Sequence, residues 1–196
     1  MATTQYNLEY YIDTAHELAE KMLMYFTDKN GKGFFDTSTD HERLVVRPKT
    51  LQDNATPSGN AMAACVLLKL GAYSGERKFT NAAESALINT QNLAVRYPTG
   101  FGKWLQALSF AVSPTNQIAV IGSRAANNTH ELLKTIRQPY RPHQVVAYSD
   151  SQKDGTQIPL LSGRSSQDGK STAYVCRDFK CHLPVTDAAS LKRQLD

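Results

Sequence analysis

The stretch that decides the reading of this chain runs from Gly31 to Asn60, GKGFFDTSTDHERLVVRPKTLQDNATPSGN. It is too long and too chemically mixed to be an ordinary connection between helices. Its acidic residues Asp36, Asp40, Glu42 and Asp53 are interleaved with His41, Arg43, Arg47 and Lys49. Two apolar pulses, Phe34-Phe35 and Leu44-Val45-Val46, flank the turn-prone Thr37-Ser38-Thr39-Asp40, a pattern that predicts a short β-hairpin. Thr56-Pro57 then offers an N-cap and a first helical residue. Connections of more than about 15 residues in compact domains tend to be functional or disordered, and the apolar pulses argue against disorder. A site, if the chain has one, is expected here.

Outward from this loop the chain divides in two. On the N-terminal side, Leu8, Tyr11, Ile12, Ala15, Leu18, Ala19, Met22, Leu23 and Phe26 recur at helical steps, predicting a helix from Asn7 to about Asp28. Asn30-Gly31 supplies its stop. After the loop, Ser58–Leu70, Glu76–Val95 and Phe101–Val112 read as three more helices, separated by Gly71 with Ser74-Gly75 and by Tyr97-Pro98-Thr99-Gly100. The pattern changes at Ser113-Pro114. Gln117–Ile121 reads as a buried strand, Asn127-Asn128-Thr129 as the cap of a helix to about Arg137, and Gln144–Tyr148 as a second strand, together a βαβ unit. Ser149–Ser171 is mostly loop, with a possible short strand at Ile158–Leu161. A third strand is expected at Thr172–Cys176, and a closing helix capped by Thr186. The expected domains are 1–113, helical, and 114–196, a small α/β part.

Bulk properties narrow the function classes. With 41% hydrophobic and 20% charged residues among 196, the composition is that of a globular protein. The net charge of +4 is dispersed rather than gathered into the basic stripe that nucleic acid requires. No run approaches the roughly 18 apolar residues of a membrane span. Three cysteines and no basic-then-apolar leader make a reducing cytoplasm the default location, with the cysteines reduced.

The run GKGFFDTSTDHERLVVRPKTLQDNATPSGNAMAA, the helix start FGKWLQAL, then QIAVIG and the tail STAYVCRDFKCHLPVTD occur in that order. Together they resemble the C-terminal part of the spermatogenesis-associated, thioredoxin-domain-containing family. The resemblance implies a segment of a six-hairpin (α/α) toroid, related in fold to glycosidases and sugar epimerases, without the family's thioredoxin-like domain. The expected fold class is therefore α+β: a partial toroid of helical hairpins with a β-hairpin loop, followed by a small βαβ-containing α/β cap. Four helices are too few for a toroid. The expectation is a fragment, a split-gene product or an obligate oligomer, with the remainder of the toroid or a second copy as partner.

Two function classes follow. In the first, the chain is an enzyme acting on a sugar or polyol. Asp36, Asp40, His41 and Asp53 are then its catalytic candidates, because glycoside hydrolysis needs paired carboxylates and isomerisation a proton-transfer group. Arg47, Ser58, Asn60 and Trp104 are the substrate-binding candidates: a guanidinium fork, a helix start with free N–H groups, and an aromatic platform. In the second, the chain is a binding or structural module whose charged loop residues pair with Arg43, Arg47 and Lys49 to pin the loop. The second reading is preferred, and no cofactor or metal is called for. Cys176 and Cys181, with His182, lack the CxxC knuckle of a zinc site, although a tight hairpin could bring the two thiols together as a disulfide. Gly122 alone after Ile118–Ile121 is too little for a dinucleotide fingerprint.

Overall fold

The structure is a computed structural model that describes residues 8–30, 32–42, 45–150 and 158–196. Its elements are α1 (Leu8–Phe26), α2 (Gly59–Ser74), α3 (Arg77–Arg96), a 3-10 turn at Pro98–Gly100, α4 (Gly102–Val112), β1 (Asn116–Ile121), α5 (Asn127–Arg137), β2 (Gln144–Ser149), β3 (Thr172–Arg177), β4 (Lys180–Cys181) and α6 (Ala188–Leu195). The class is α+β, with helical hairpins and a small β part. The chain forms two compact units, one of residues 14–71 and 76–113, the other of residues 72–75 and 114–196 with the start of α1.

In the helical unit the core is built on small residues. Ala61, Ala64, Ala83 and Ala107 are fully or almost fully buried, and so are the larger Leu67, Phe79 and Trp104. Alanines at these positions let helix axes approach closely, and the aromatic rings fill what remains at the density of a protein interior. α2 is apolar nearly all round, and it buries one broad face in the cluster while Met62, Val66 and Lys69 stay exposed on the other. Tyr97–Phe101 turns the chain tightly from α3 into α4, with Gly100 and Phe101 N–H groups bonding back to Tyr97 and Pro98 carbonyls.

In the second unit a four-stranded sheet has the order β2-β1-β3-β4. β1 pairs parallel with β2 from Asn116↔Gln144 to Ile121↔Ser149, and antiparallel with β3. A parallel pair needs a crossover, and α5 supplies it, so the expected βαβ unit is present. Ile118, Val120, Ala173 and Val175 of the sheet pack with Leu132 and Ile136 of α5 and Leu191 and Leu195 of α6. All six residues of β1 are buried, which explains why it reads as a continuous rather than alternating run.

Several local expectations are corrected. The hairpin predicted between Phe34-Phe35 and Leu44-Val46 does not form among the described residues; Leu44 itself lies outside them. Phe34 instead makes an antiparallel bridge to Thr27 at the end of α1, and Val45 and Val46 are exposed. The α1 stop at Gly31 also lies outside the described residues. α2 is capped by Ser58, whose hydroxyl accepts from Ala61 N–H at 3.2 Å, not by Thr56. Asp187 caps α6 by accepting from Ser190 N–H at 2.8 Å, displacing Thr186 from that role. Ile158–Leu161 is a turn rather than a strand: Leu161 N–H bonds back to the Ile158 carbonyl at 2.8 Å, Pro159 has no N–H to offer a ladder, and Ile158, Leu160 and Leu161 are buried. Cys176 and Cys181, expected reduced, form a disulfide because β3 and β4 place them directly opposite with Cα atoms 3.9 Å apart.

Gly122 ends β1 where the backbone meets Ser171. A Cβ there would lie 2.6 Å from the Ser171 Cα, a contact that side-chain rotation cannot relieve. We expect Gly122→Ala to destabilise the α/β unit by about 1–3 kcal/mol, the usual range for overpacking. Denaturant titration followed by circular dichroism measures it, and an unchanged midpoint would contradict the assigned contact.

Candidate functional site

The loop between α1 and α2 is held from both ends. Asp28 N–H bonds to Gly33 carbonyl at 3.0 Å and Phe35 N–H to Phe26 carbonyl at 2.8 Å, so the loop's first residues run back along the end of α1. Gly33 has φ +86°, and a Cβ at this position would fall 2.8 Å from Asn60 Oδ1. That open space admits the central contact. Asn60, 1% exposed, accepts from Phe34 N–H at 2.7 Å and donates to the carbonyls of Phe34 at 2.8 Å and Thr50 at 3.2 Å. A side-chain amide thus serves as the second strand partner of Phe34, which is bridged on its other side to Thr27.

The remaining candidates are bound into the same frame. Asp36 Oδ2 accepts from Thr50 N–H at 2.9 Å and from Thr50 hydroxyl at 2.7 Å, closing the loop on itself. Asp53 uses both oxygens on backbone: Oδ1 on Ser58 N–H at 2.9 Å and Oδ2 on Lys103 N–H at 2.7 Å. It therefore joins the starts of α2 and α4. Ser58 hydroxyl donates to Leu51 carbonyl at 3.1 Å, and Trp104 Nε1–H donates to the same carbonyl at 2.7 Å. Arg47 donates to the carbonyls of Thr37 and Tyr25, and its guanidinium lies 4.1 Å from the centre of the Phe35 ring. Lys49 pairs with Asp28 at 2.5 Å. Asp40 bonds to its neighbour Ser38, and Asp40 and His41 are both exposed on the 37–42 turn. Arg43, proposed as an ion-pair partner, lies outside the described residues.

Two open cavities flank Gln52 and Asn54. One, of about 540 Å³, has Phe26, Phe34 and Phe35 on its apolar side and Asp36, Thr50 and Asn60 among its polar groups. The other, of about 530 Å³, is bordered by Asp53, Tyr97, Thr99 and Phe101. Each has a single carboxylate on its wall, Asp36 in the first and Asp53 in the second, and both oxygens of Asp53 are already engaged. Asp40, His41, Arg47 and Trp104 line neither. The structure thus brings Asp36, Ser58 and Asn60 to one cavity and leaves the four catalytic candidates dispersed. Gln52, Asn54, Thr50 and Thr99 are lining residues that sequence reasoning missed. The first three lay in plain view within the diagnostic RPK…QD…ATPSGN run, but uncharged side chains carry no chemical signal of their own.

A second polar cluster joins α1 to the start of α3. His16 Nε2 is 2.6 Å from Glu76 Oε1 and 3.8 Å from Glu20 Oε1, and ligand atoms of the three lie within 4.8 Å of one another. Lys78 bonds to both glutamates, so the cluster already holds a cation of the chain's own. Burial works against ionisation of Glu76, but hydrogen bonds from Lys78 and His16 outweigh it and hold the carboxyl below its usual range. Those same bonds, to Glu20 and then Glu76, raise Lys78. The spacing His16-x3-Glu20 was a legible sign that this helix face carries a partner.

Two outcomes follow from these contacts. Asn60→Ala removes three hydrogen bonds and leaves Phe34 N–H and C=O buried without partners, so a loss of about 2–4 kcal/mol is expected, with faster proteolysis inside 32–58. Limited digestion and denaturant titration of the variant read both. Because Glu76 titrates lower in the folded chain than in the unfolded one, its stabilising share is present above the unfolded carboxylate range. It is lost as pH falls through its folded value. Glu76→Gln should flatten that acid limb of the stability profile, and an unchanged limb would remove Glu76 from the account.

No family model matches the chain. It is 28% identical over 189 residues to spermatogenesis-associated protein 20 of Homo sapiens, covering 94% of this chain and 24% of that protein. The rat protein of the same name is 28% identical over 177 residues, covering 87% of this chain and 22% of its own length. The mouse protein is 26% identical over 189 residues, again 94% and 24%. The chain spans about a quarter of the length of the curated relatives it matches, consistent with the C-terminal part that its motifs indicate. Along nearly the whole of its own length the chain is similar to spermatogenesis-associated protein 20.

Proposed function

We propose that this chain is a binding or structural module: a helical-hairpin segment of a larger toroid in which residues 32–42 and 45–60 form a structural wall rather than a catalytic apparatus. The observation that carries the reading is how the candidate side chains are used. Asp53, Ser58, Asn60 and Trp104 all spend their polar atoms on loop or helix-start backbone, and Arg47 donates to two loop-adjacent carbonyls. Glycoside hydrolysis requires two carboxylates across one bond, and neither cavity offers a second.

The cavity beside Phe26, Phe34 and Phe35 suits a small neutral polyhydroxy ligand such as a sugar or polyol. Its aromatic side can pack on C–H surfaces, while Asp36, Thr50, Gln52 and Asn54 can accept and donate hydrogen bonds. The carbohydrate-active reading survives only in this weaker form, as binding without turnover. Apolar side chains on three helices of the same unit remain exposed: Leu18 and Met24 on α1, Met62 and Val66 on α2, Ile88 and Val95 on α3. On this reading they are covered by the rest of the toroid or by a second copy. A dispersed net charge of +4 fits neither nucleic acid nor an anionic membrane, and no described helix is long and apolar enough to cross one. A cytoplasmic setting belongs to the proposal.

The test combines mass and binding. Light scattering of the purified chain, alone and with the remaining segment of a full-length homologue, should show self-association or a stable complex. Calorimetry with a panel of monosaccharides and polyols should show millimolar binding, weakened by Asp36→Ala several-fold, with no product formed. A monomer that turns a sugar over would overthrow the module reading.

A further inference from the structure

The Cys176–Cys181 disulfide has two unlike sulfurs. Cys176 is fully buried in β3, whereas Cys181 is exposed on the two-residue strand β4. Arg164 Nη2 lies 3.2 Å from both sulfurs. The guanidinium is fixed in place: it donates to Leu160 carbonyl and sits 5.4 Å from the centre of the Tyr174 ring. Tyr174 in turn ties down the following residue, accepting from Ser165 N–H at 3.3 Å and donating to Ser165 carbonyl at 2.7 Å. A cation held beside sulfur favours the thiolate, and the better stabilised thiolate leaves faster in exchange.

We propose that Cys176–Cys181 is a thiol–disulfide exchange site for a dithiol, with Cys181 as the sulfur attacked and Cys176 as the leaving group held by Arg164. In the first step a thiolate of the dithiol attacks Cys181 Sγ. A mixed disulfide forms, the Cys176–Cys181 bond breaks, and its electron pair passes to Cys176 Sγ beside the guanidinium. In the second, the other thiolate of the dithiol attacks its own sulfur in the mixed disulfide and expels Cys181. The dithiol leaves oxidised by two electrons, and its two protons end on Cys176 and Cys181. Run in reverse, the reduced Cys176 and Cys181 return two electrons to a disulfide and close their own bond again. Only two register pairs join β4 to β3, so the covalent link is a large part of what holds that strand.

The experiment uses the whole chain with Cys65→Ser as background, so that two cysteines remain. The folded protein is exposed to dithiothreitol near neutral pH, quenched by alkylation at intervals and weighed by mass spectrometry. Once the quenched samples are unfolded in the presence of the alkylating agent, two alkyl groups should appear, with no prior loss of the circular dichroism signal. Arg164→Met should slow reduction by about threefold or more, as expected for a leaving group of higher pKa, while Arg164→Lys stays near the parent rate. With oxidised glutathione as probe, Cys176→Ser should capture glutathione at Cys181, and Cys181→Ser should leave the buried Cys176 unmodified. Reduction seen only in denaturant, an Arg164→Met rate equal to the parent's, or equal capture by both single-cysteine variants would each overturn the proposal. The first and last outcomes need no arginine variant to fold.

Discussion

The helical unit depends on one buried side-chain amide. Asn60 sits in the first turn of α2, where a polar residue without partners would be costly, and bonds both main-chain groups of Phe34 and the carbonyl of Thr50. Buried main-chain N–H and C=O groups must be paired, and the short bridge to Thr27 leaves the N–H and carbonyl of Phe34 to be paired by a side chain. The amide serves as a one-residue strand. Once it is seated, Phe34 is carried into the core, Thr50 is placed to meet Asp36, and the intervening residues have few places left to go. Gly33 is the complement of this arrangement, since its missing side chain is the space that the amide oxygen occupies.

Asp53 extends the same logic. A carboxylate capping two helix starts at once is strongly placed, because both sets of N–H groups are otherwise orphaned and both helix dipoles favour negative charge there. A residue so engaged cannot also serve as a general acid or base without loosening α2 and α4. The same reasoning applies to Lys78, which neutralises Glu20 and Glu76 from within the chain. In both places the charged groups are engaged by the fold, whereas Asp40 and His41 stay exposed on the 37–42 turn.

Much of this architecture was legible in the sequence. The α1 helix, the continuous apolar run of β1 and the strand–helix–strand spacing are each present, although Tyr11 and Leu18 of the α1 stripe are exposed while Ala15, Ala19, Met22, Leu23 and Phe26 pack inward. The importance of Gly31–Asn60 was also legible, because no short connection holds so many polar groups. Details that depend on which of several equivalent groups wins were not. Thr56 and Ser58 are both competent caps; the position of Asp53, which draws in the Ser58 N–H, settles the choice. Phe34-Phe35 and Val45-Val46 both read as strand, but only the former finds a buried site. The disulfide was one of several states left open by spacing alone, and the turn between β3 and β4 decides it.

Trp104 carries a consequence beyond packing. It is the sole tryptophan in the chain, is 1% exposed, and donates its indole N–H to Leu51 in the loop it supports. Its emission wavelength and intensity therefore depend on that one bond and on exclusion of water from one face of α4. The chain has an intrinsic optical gauge of whether the loop is docked, one that can be read in solution without a label.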